Sequence, residues 1–205
     1  MNPSAEKPDD GPFVRAFVAV ELDEPSRQAL AAALDRLRKT EAHVAWVPAR
    51  NLHVSLVFLG DTPRTLVETI GLALDEAAVA VAPFSYEVAD VGTFGNPRAP
   101  RVIWAGVAPC PPLMTLQSRM AASFKALGLP LDEREFRPHV TLGRVRSPRG
   151  ADRLKRALSE VAGQRFGQVR ADSVALMRSR LAPGGAEYTL LHRAACGGTA
   201  AEGRR

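Results

Sequence analysis

The sequence contains very little cysteine. Only Cys110 and Cys196 occur in 205 residues, far apart and in unlike surroundings. A disulfide framework or a cysteine-rich metal cluster needs more thiols at closer spacing, so both are excluded. We expect the two cysteines to be free thiols without a functional role.

Long apolar runs are also missing. No stretch reaches the roughly 20 apolar residues that a membrane-spanning helix needs. The first residues, MNPSAEKPDDGP, are polar and acidic and lack the basic-then-apolar order of a signal peptide. These absences argue against membrane insertion and secretion, and we expect a cytoplasmic protein.

Basic charge is in excess, most of it arginine. The chain has 27 Lys and Arg against 22 Asp and Glu, a formal net charge of +5. One segment concentrates basic residues: Arg134, Arg137, Arg144, Arg146, Arg149, Arg153, Lys155 and Arg156. Two interpretations stay open. The segment is either a solvated surface or a patch that faces phosphate groups, whose oxygens match the arginine fork.

Short runs rich in Val and aromatic residues alternate with amphipathic segments of helical period. Strands are predicted at 14–22, 43–48, 51–60, 84–94, 101–108, 137–145, 165–179 and 186–194, and helices at 24–40, 62–82, 111–128 and 151–163. The order predicts an α+β fold with two antiparallel-rich sheets that face a central cleft, with helices on the outer faces.

The domain organisation follows from the absence of a long internal linker. We expect one bilobal catalytic domain at 12–194, preceded by a disordered N-terminus at 1–11 and followed by a flexible tail at 195–205. We expect a monomer.

Two apolar strands each carry a histidine followed by a hydroxyl two residues later. The stretches are NLHVSLVFLG, with His53 and Ser55, and RPHVTLGRV, with His139 and Thr141. Because side chains alternate along a strand, each histidine shares a face with its hydroxyl residue, while the intervening valine faces the core. A single histidine of this kind is usually structural, so the repetition is the informative observation.

This pair of histidines suits acid–base chemistry on a phosphodiester. Histidine titrates near pH 6.5, so one imidazole can take a proton from a nucleophile while the other protonates a leaving group. The hydroxyls can donate hydrogen bonds to phosphoryl oxygens, and an arginine can balance the charge. The sequence near the histidines offers no further metal ligands, so we expect neither metal nor cofactor.

The motifs HVSL and HVTL resemble the signature of the 2H phosphoesterase superfamily, and the chain resembles its bacterial RNA 2′,3′-cyclic phosphodiesterase branch, the 2′-5′ RNA ligase-like proteins. The stretches FVRAFVAVEL, WVPARNLHVSLVFLG, VGTFGNPRAPRVIWAGV, FRPHVTLGRV and SRLAPGGAEYTLL carry the resemblance, which covers roughly residues 13–194. It implies a bilobal fold with one motif on each lobe. It also implies metal-independent hydrolysis of RNA or nucleoside 2′,3′-cyclic phosphate ends to 2′-phosphomonoesters, in RNA processing.

The resemblance also implies roles for individual residues. His53 is the expected general acid and His139 the expected general base. Ser55 and Thr141 are expected to bind the phosphate, although many relatives carry Thr in place of Ser55. Arg144 is expected to be a further phosphate contact. Strict alternation places Arg144 opposite His139, so this role requires Gly143 to break the alternation, as in a β-bulge.

Two other functions remain open. The same acid–base pair could join RNA ends through a 2′-5′ linkage or cleave that linkage, and the basic segment alone would permit an RNA-end binding module without turnover. Four further candidates are expected to be structural: His43, His192, Trp46 and Trp104. Phe58, Phe94 and Phe136 are expected to pack, with stacking on a nucleobase as the open alternative. Arg98 and Arg101 flank a turn, where contact with the RNA strand beyond the cyclic end stays open.

Overall fold

A computed structural model describes residues 11–96, 99–182 and 185–197. The strands are β1 (Phe13–Glu21), β2 (Val44–Trp46), β3 (His53–Pro63), β4 (Phe84–Asn96), β5 (Ala99–Val107), β6 (His139–Val145), β7 (Arg165–Ala171), β8 (Ser173–Ala182) and β9 (Gly185–Ala195). The α-helices are α1 (Glu24–Arg38), α2 (Val67–Val79), α3 (Pro111–Ala126) and α4 (Ala151–Val161).

The nine strands of the described residues belong to one antiparallel sheet with two halves. The order is β7-β4-β5-β6-β3-β1-β8-β9, and β2 pairs with β6. The halves meet between β6 and β3, which are in register at Val54 and Val140. The predicted α+β fold is therefore confirmed, and the two predicted sheets are the two halves of a continuous sheet.

The helices cover one face of this sheet. Helices α1 and α4 contact β7 and β4 in the first half, while α2 and α3 contact β9 and β3 in the second. Val18, Val54, Val140 and Leu142 point into the core beneath the helices and are fully buried. We call the opposite face, which carries His53 and His139, the open face.

Local signals account for the helix ends. The Asp23 side chain accepts a hydrogen bond of 2.9 Å from the Ser26 backbone N–H, and Pro25 occupies the first turn of α1. After α3, Gly128 has a φ of +77°, as predicted for a residue that ends a helix in the left-handed conformation.

Two predicted boundaries were wrong because strand pairing overrides local turn signals. Strand β3 does not stop at Gly60-Asp61. Gly60 takes a φ of +66° there and the strand continues to Pro63, which pairs with Phe13 of β1, so α2 begins only at Val67. The strand predicted at 165–179 is two strands, which separate at Asp172 because β7 pairs with β4 and β8 with β1 and β9.

The predicted terminal segments lie mostly outside the described residues. Of the predicted tail at 195–205, Ala195 ends β9, and Cys196 is buried and donates its backbone N–H to the Asp172 carbonyl at 2.8 Å. Of the predicted disordered segment at 1–11, only Gly11 is described, and its carbonyl accepts a hydrogen bond of 2.7 Å from the Arg64 side chain. Cys110 is also buried, and both cysteines are free thiols.

Candidate active site

The two motif strands meet at the centre of the sheet. Val54 of β3 is in antiparallel register with Val140 of β6. Both valines point into the core, so the residues on either side of them point to the open face. Antiparallel register then sets His53 opposite Thr141 and Ser55 opposite His139. The sheet thus brings the four motif side chains together around one point.

The two imidazoles occupy diagonal corners of this group. Diagonal neighbours on adjacent antiparallel strands lie roughly 7–8 Å apart, a spacing that leaves room for one phosphate group between the rings. Each ring approaches that space from its own strand, and each has a hydroxyl residue of the other strand across from it.

Backbone carbonyls set the orientation of both rings. His53 Nδ1 lies 2.7 Å from the Asn51 carbonyl oxygen, and His139 Nδ1 lies 2.7 Å from the Arg137 carbonyl oxygen. Because a carbonyl only accepts, Nδ1 carries a proton in both rings and Nε2 remains for chemistry. His53 Nε2 lies 2.8 Å from Ser55 Oγ. In the neutral ring, the Ser55 hydroxyl donates to that nitrogen.

Aromatic side chains hold the two rings in place. Phe17 stacks on His53 with ring centroids 4.9 Å apart, and Tyr188 meets the same imidazole edge-on at 5.4 Å. On the other half, Phe94 meets His139 edge-on at 4.9 Å. These contacts restrict ring rotation, so each Nε2 stays directed by packing as well as by its backbone hydrogen bond.

Burial is the largest influence on the pKa of both motif histidines, and it lowers both values. It lowers the pKa of His53 below the ordinary 6.5, with a further lowering by His139, against the opposing effects of the Asn51 carbonyl and Glu21. Burial also lowers the pKa of His139, and the Arg144 guanidinium lowers it further, against the Arg137 carbonyl. Both imidazoles therefore give up a proton more readily than a free histidine does.

Arg144 lies on the same face as His139 because β6 contains an irregularity. Gly143 pairs with Ile103 of β5 and Thr141 pairs with Trp104, so Leu142 is an extra residue in the ladder. The predicted break in alternation beside Gly143 is confirmed, and it returns Arg144 to the open face. The effect of Arg144 on the pKa of His139 reflects this proximity.

Gly143 itself has no room for a side chain. A Cβ atom there would lie 2.7 Å from Val44 Cγ1 and 2.9 Å from Trp46 Cε3 on the paired strand β2. We predict that Gly143→Ala lowers the free energy of unfolding by about 1–3 kcal/mol, because β2 must move away. Chemical denaturation measures this loss. The double variant Gly143→Ala/Val44→Ala should recover part of it, and an unchanged midpoint for the single variant would contradict the packing described.

Tyr188 joins the site although nothing in the motifs indicated it. It lies on β9 opposite Ser179, and the β1–β8 and β8–β9 pairings bring it beside Phe17, with ring centroids 4.9 Å apart. Burial raises the pKa of its hydroxyl, against the influence of Arg144, so this hydroxyl remains a donor at neutral pH. A pocket beside His53 is lined by Tyr188, Arg50, Asn51 and Glu21 among others.

The other histidines lie elsewhere. His43 Nδ1 contacts Ser147 Oγ at 2.8 Å before β2, and His192 Nε2 contacts Asp75 of α2 at 2.9 Å on the helix side.

Among the aromatic candidates, Trp46 and Phe136 pack against the core, and Trp104 lies against Phe94 with ring centroids 5.4 Å apart. Phe58 is half exposed.

The basic segment contains arginines that form ion pairs and arginines that line a pocket. Arg134 and Arg137 form ion pairs with Asp132 and Glu135. Arg146 and Arg149 line a pocket beyond the end of β6, together with Arg101 of β5. Arg98 lies outside the described residues. The segment is thus partly an ordinary ion-paired surface and partly a cationic rim near the end of the motif strand.

Each half of one antiparallel sheet contributes one His-x-Ser/Thr strand, which is the arrangement of the 2H phosphoesterases. The chain belongs to the 2′-5′ RNA ligase superfamily, whose family model matches residues 25–182. Within the described residues, no helix is long and apolar enough to cross a membrane.

Named relatives and solved structures agree with this membership. The chain is 36% identical over 176 residues to the RNA 2′,3′-cyclic phosphodiesterase of Methanothermobacter thermautotrophicus, covering 86% of this chain and 95% of that protein. It is 34% identical over 177 residues to the one of Archaeoglobus fulgidus, covering 85% and 96%.

Among solved structures, the fold is similar to that of TT0787 of Thermus thermophilus, with a TM-score of 0.77, 29% identity and coverage of 90% of this chain and 98% of that one. It is also similar to that of apo Escherichia coli LigT, with a TM-score of 0.71, 24% identity and coverage of 91% and 99%.

Proposed function

We propose that the protein hydrolyses terminal 2′,3′-cyclic phosphates of RNA or nucleosides to 2′-phosphomonoesters, by acid–base catalysis with two histidines and no metal. The register of Val54 with Val140 carries this proposal, because it sets two imidazoles diagonally across one space on the open face. The relatives named RNA 2′,3′-cyclic phosphodiesterase support the choice of substrate.

His139 acts as the general base and His53 as the general acid. His139 Nε2 takes a proton from water as the water oxygen attacks phosphorus, and protonated His53 Nε2 gives a proton to the 3′ oxygen as the P–O3′ bond breaks. The product keeps the phosphate on the 2′ oxygen. The ribose does not leave, because it stays attached to phosphorus through O2′. Arg50, Asn51 and Tyr188 line a small pocket beside His53, on the side where O3′ is protonated.

Ser55, Thr141 and Arg144 bind the phosphate. The two hydroxyls flank the space between the imidazoles and can donate to the non-bridging oxygens. The Arg144 guanidinium supplies the positive charge that the pentacoordinate transition state needs. The Tyr188 hydroxyl is a further neutral donor on the His53 side.

A product analysis tests this function. An oligonucleotide with a 2′,3′-cyclic phosphate end, incubated with the protein in excess chelator, is expected to yield the 2′-phosphomonoester, because only the P–O3′ bond is broken. Phosphorus NMR distinguishes this product from the 3′-phosphomonoester. Formation of the 3′ isomer would refute the assigned geometry, and activity that disappears in chelator and returns with a divalent cation would refute the metal-free mechanism.

The proposal also covers the domain organisation, the oligomeric state and the cellular location of the protein. We propose that residues 12–194 act as one bilobal catalytic domain, because the sheet runs without interruption from one half to the other through β6 and β3. We further propose that the protein works as a monomer in the cytoplasm on RNA ends produced during RNA processing.

A further inference from the structure

Large apolar side chains are exposed on the open face beyond the proposed phosphate site. Phe58 of β3 is 47% exposed and Phe13 of β1 is 54% exposed. Phe58 lies opposite Phe17, the residue that stacks on His53. A half-exposed aromatic ring costs free energy in water, and on a sheet face beside a phosphate site it offers a surface for a nucleobase.

Two irregularities in β3 keep Phe58 on this face. In the ladder with β1, Ser55 pairs with Ala19, Val57 with Val18, Phe58 with Phe17 and Gly60 with Ala16. Leu56 and Leu59 are therefore extra residues, and both are buried in the core. Without the extra Leu56, strict alternation would turn Phe58 away from the face that Ser55 occupies.

Arg15 adds positive charge to the aromatic surface. Its guanidinium carbon lies 4.9 Å from the centroid of the Phe58 ring, a cation–π contact. In the part of the chain that the structure describes, Arg15 forms no ion pair with a carboxylate. An aromatic ring with an adjacent arginine is the combination by which proteins bind unpaired nucleotides.

The register shows on which side of the phosphate this surface lies. Ser55 and His139 stand on one side of the Val54–Val140 pair, and His53 and Thr141 stand on the other. By backbone position Phe58 lies farther along β3 beyond Ser55, in the direction of the end of β6 that carries His139. In the proposed mechanism the nucleophile enters beside His139, whereas the departing O3′ atom lies beside His53. A water molecule gains nothing from an aromatic side chain, whereas a nucleoside in the place of water can stack its base on one.

We propose that Phe58 and Arg15 form the binding subsite for the nucleoside whose 5′-hydroxyl takes the place of water. The inference rests on the proposed function. In the joining direction the 5′ oxygen forms a bond to phosphorus, its proton passes to His139, the P–O3′ bond breaks, and His53 protonates O3′. The product is a 2′-5′ linkage. The reverse steps cleave that linkage to a cyclic phosphate and a 5′-hydroxyl.

The test compares two substrates on one enzyme. A 2′,3′-cyclic mononucleotide uses water, whereas a 2′-5′-linked dinucleoside monophosphate places a nucleoside on the Phe58 side. For Phe58→Ala, the ratio of kcat/KM for cleavage to kcat/KM for hydrolysis is expected to fall about tenfold, because the base of the added nucleoside loses its stacking partner. Phe58→Trp should restore the ratio.

Leu72→Ala is the matched control, because Leu72 is 61% exposed but lies on α2, away from the open face. Its ratio should equal that of the unmodified protein. An unchanged ratio in Phe58→Ala, or hydrolysis without any cleavage in the unmodified protein, would overturn the subsite and leave the proposed function standing. Absence of hydrolysis would overturn the proposed function itself.

A binding measurement supports the test independently of turnover. A 5′-hydroxyl oligonucleotide with 2-aminopurine as its first base is expected to lose fluorescence when it binds, because stacking on an aromatic ring quenches this base. Phe58→Ala should reduce the quenching and Leu72→Ala should not. Equal quenching by both variants would show that the first base lies elsewhere.

Discussion

Alanine at His139 or at His53 is expected to lower kcat/KM for a 2′,3′-cyclic phosphate by at least about 100-fold, the range typical for loss of a general acid or base. Both side chains reach the same space from opposite strands, and each has its Nδ1 occupied by a backbone carbonyl. Neither imidazole can therefore replace the other. Steady-state kinetics on a cyclic mononucleotide measures the loss, and circular dichroism checks that the variants fold.

The pH profile separates the two roles. In the unmodified protein kcat/KM is expected to peak below pH 6.5, because burial lowers the pKa of both imidazoles below that value. The base, His139, must be unprotonated, so its pKa sets the acidic limb. The acid, His53, must be protonated, so its pKa sets the alkaline limb. The residual activity of His139→Ala should lose the acidic limb, and that of His53→Ala the alkaline limb.

The matched control for these variants is His43→Ala, since His43 contacts Ser147 outside the site. This surface substitution should leave kcat/KM within about twofold of the unmodified protein. If either motif variant behaved like the control, that histidine would have no catalytic role. If the two pH limbs were exchanged between the variants, the acid and base assignments would be reversed, and the proposed nucleophile side would move with them.

The second large effect is expected at Arg144. Arg144→Gln should lower kcat/KM by about 10²–10³-fold, as is typical when one preorganised donor to a developing oxyanion is removed. It should also move the acidic limb of the pH profile upward, because the Arg144 guanidinium lowers the pKa of His139. The pH profile of the variant measures this shift, which a purely structural role for the arginine would not produce.

Two further variants make the Arg144 prediction specific. Arg144→Lys keeps the charge but loses the planar fork, so it should retain part of the activity and leave the acidic limb near its original position. Arg146→Gln removes an exposed arginine two residues farther on, beside the pocket beyond β6. An equal loss in Arg146→Gln would show that only the general basic charge matters, and would remove Arg144 from the phosphate site.

Much of the candidate site was predictable because its signals are local. The spacing of His53 to Ser55 and of His139 to Thr141 places each pair on one face of its own strand, whichever strand pairs with it. Alternation alone placed Arg144 opposite His139, and the phosphate role implied by the family resemblance required an irregularity beside Gly143, which the β5–β6 register contains. The helices and strands were also predictable in type, because hydrophobic periodicity and turn residues are local signals too.

Other features depend on residues that are distant in the chain. Pairing with β1 extends β3 through Gly60 and Asp61, which alone indicate a turn. The strand predicted at 165–179 divides because its two parts pair with different partners in the two halves of the sheet. Tyr188 reaches His53 only through the pairings of β8 with β1 and β9. No short-range pattern contains this information.

By itself, the sequence determined the α+β class, the two strands that carry imidazole and hydroxyl groups, and which side chains point away from the core, because alternation and helical period act within a single element. The tertiary structure decided that Val54 pairs with Val140, which side of that pair holds each histidine, and where Phe58 and Tyr188 lie. These depend on register between strands far apart in the chain, which is set by simultaneous burial of the core and pairing of backbone groups across the whole sheet.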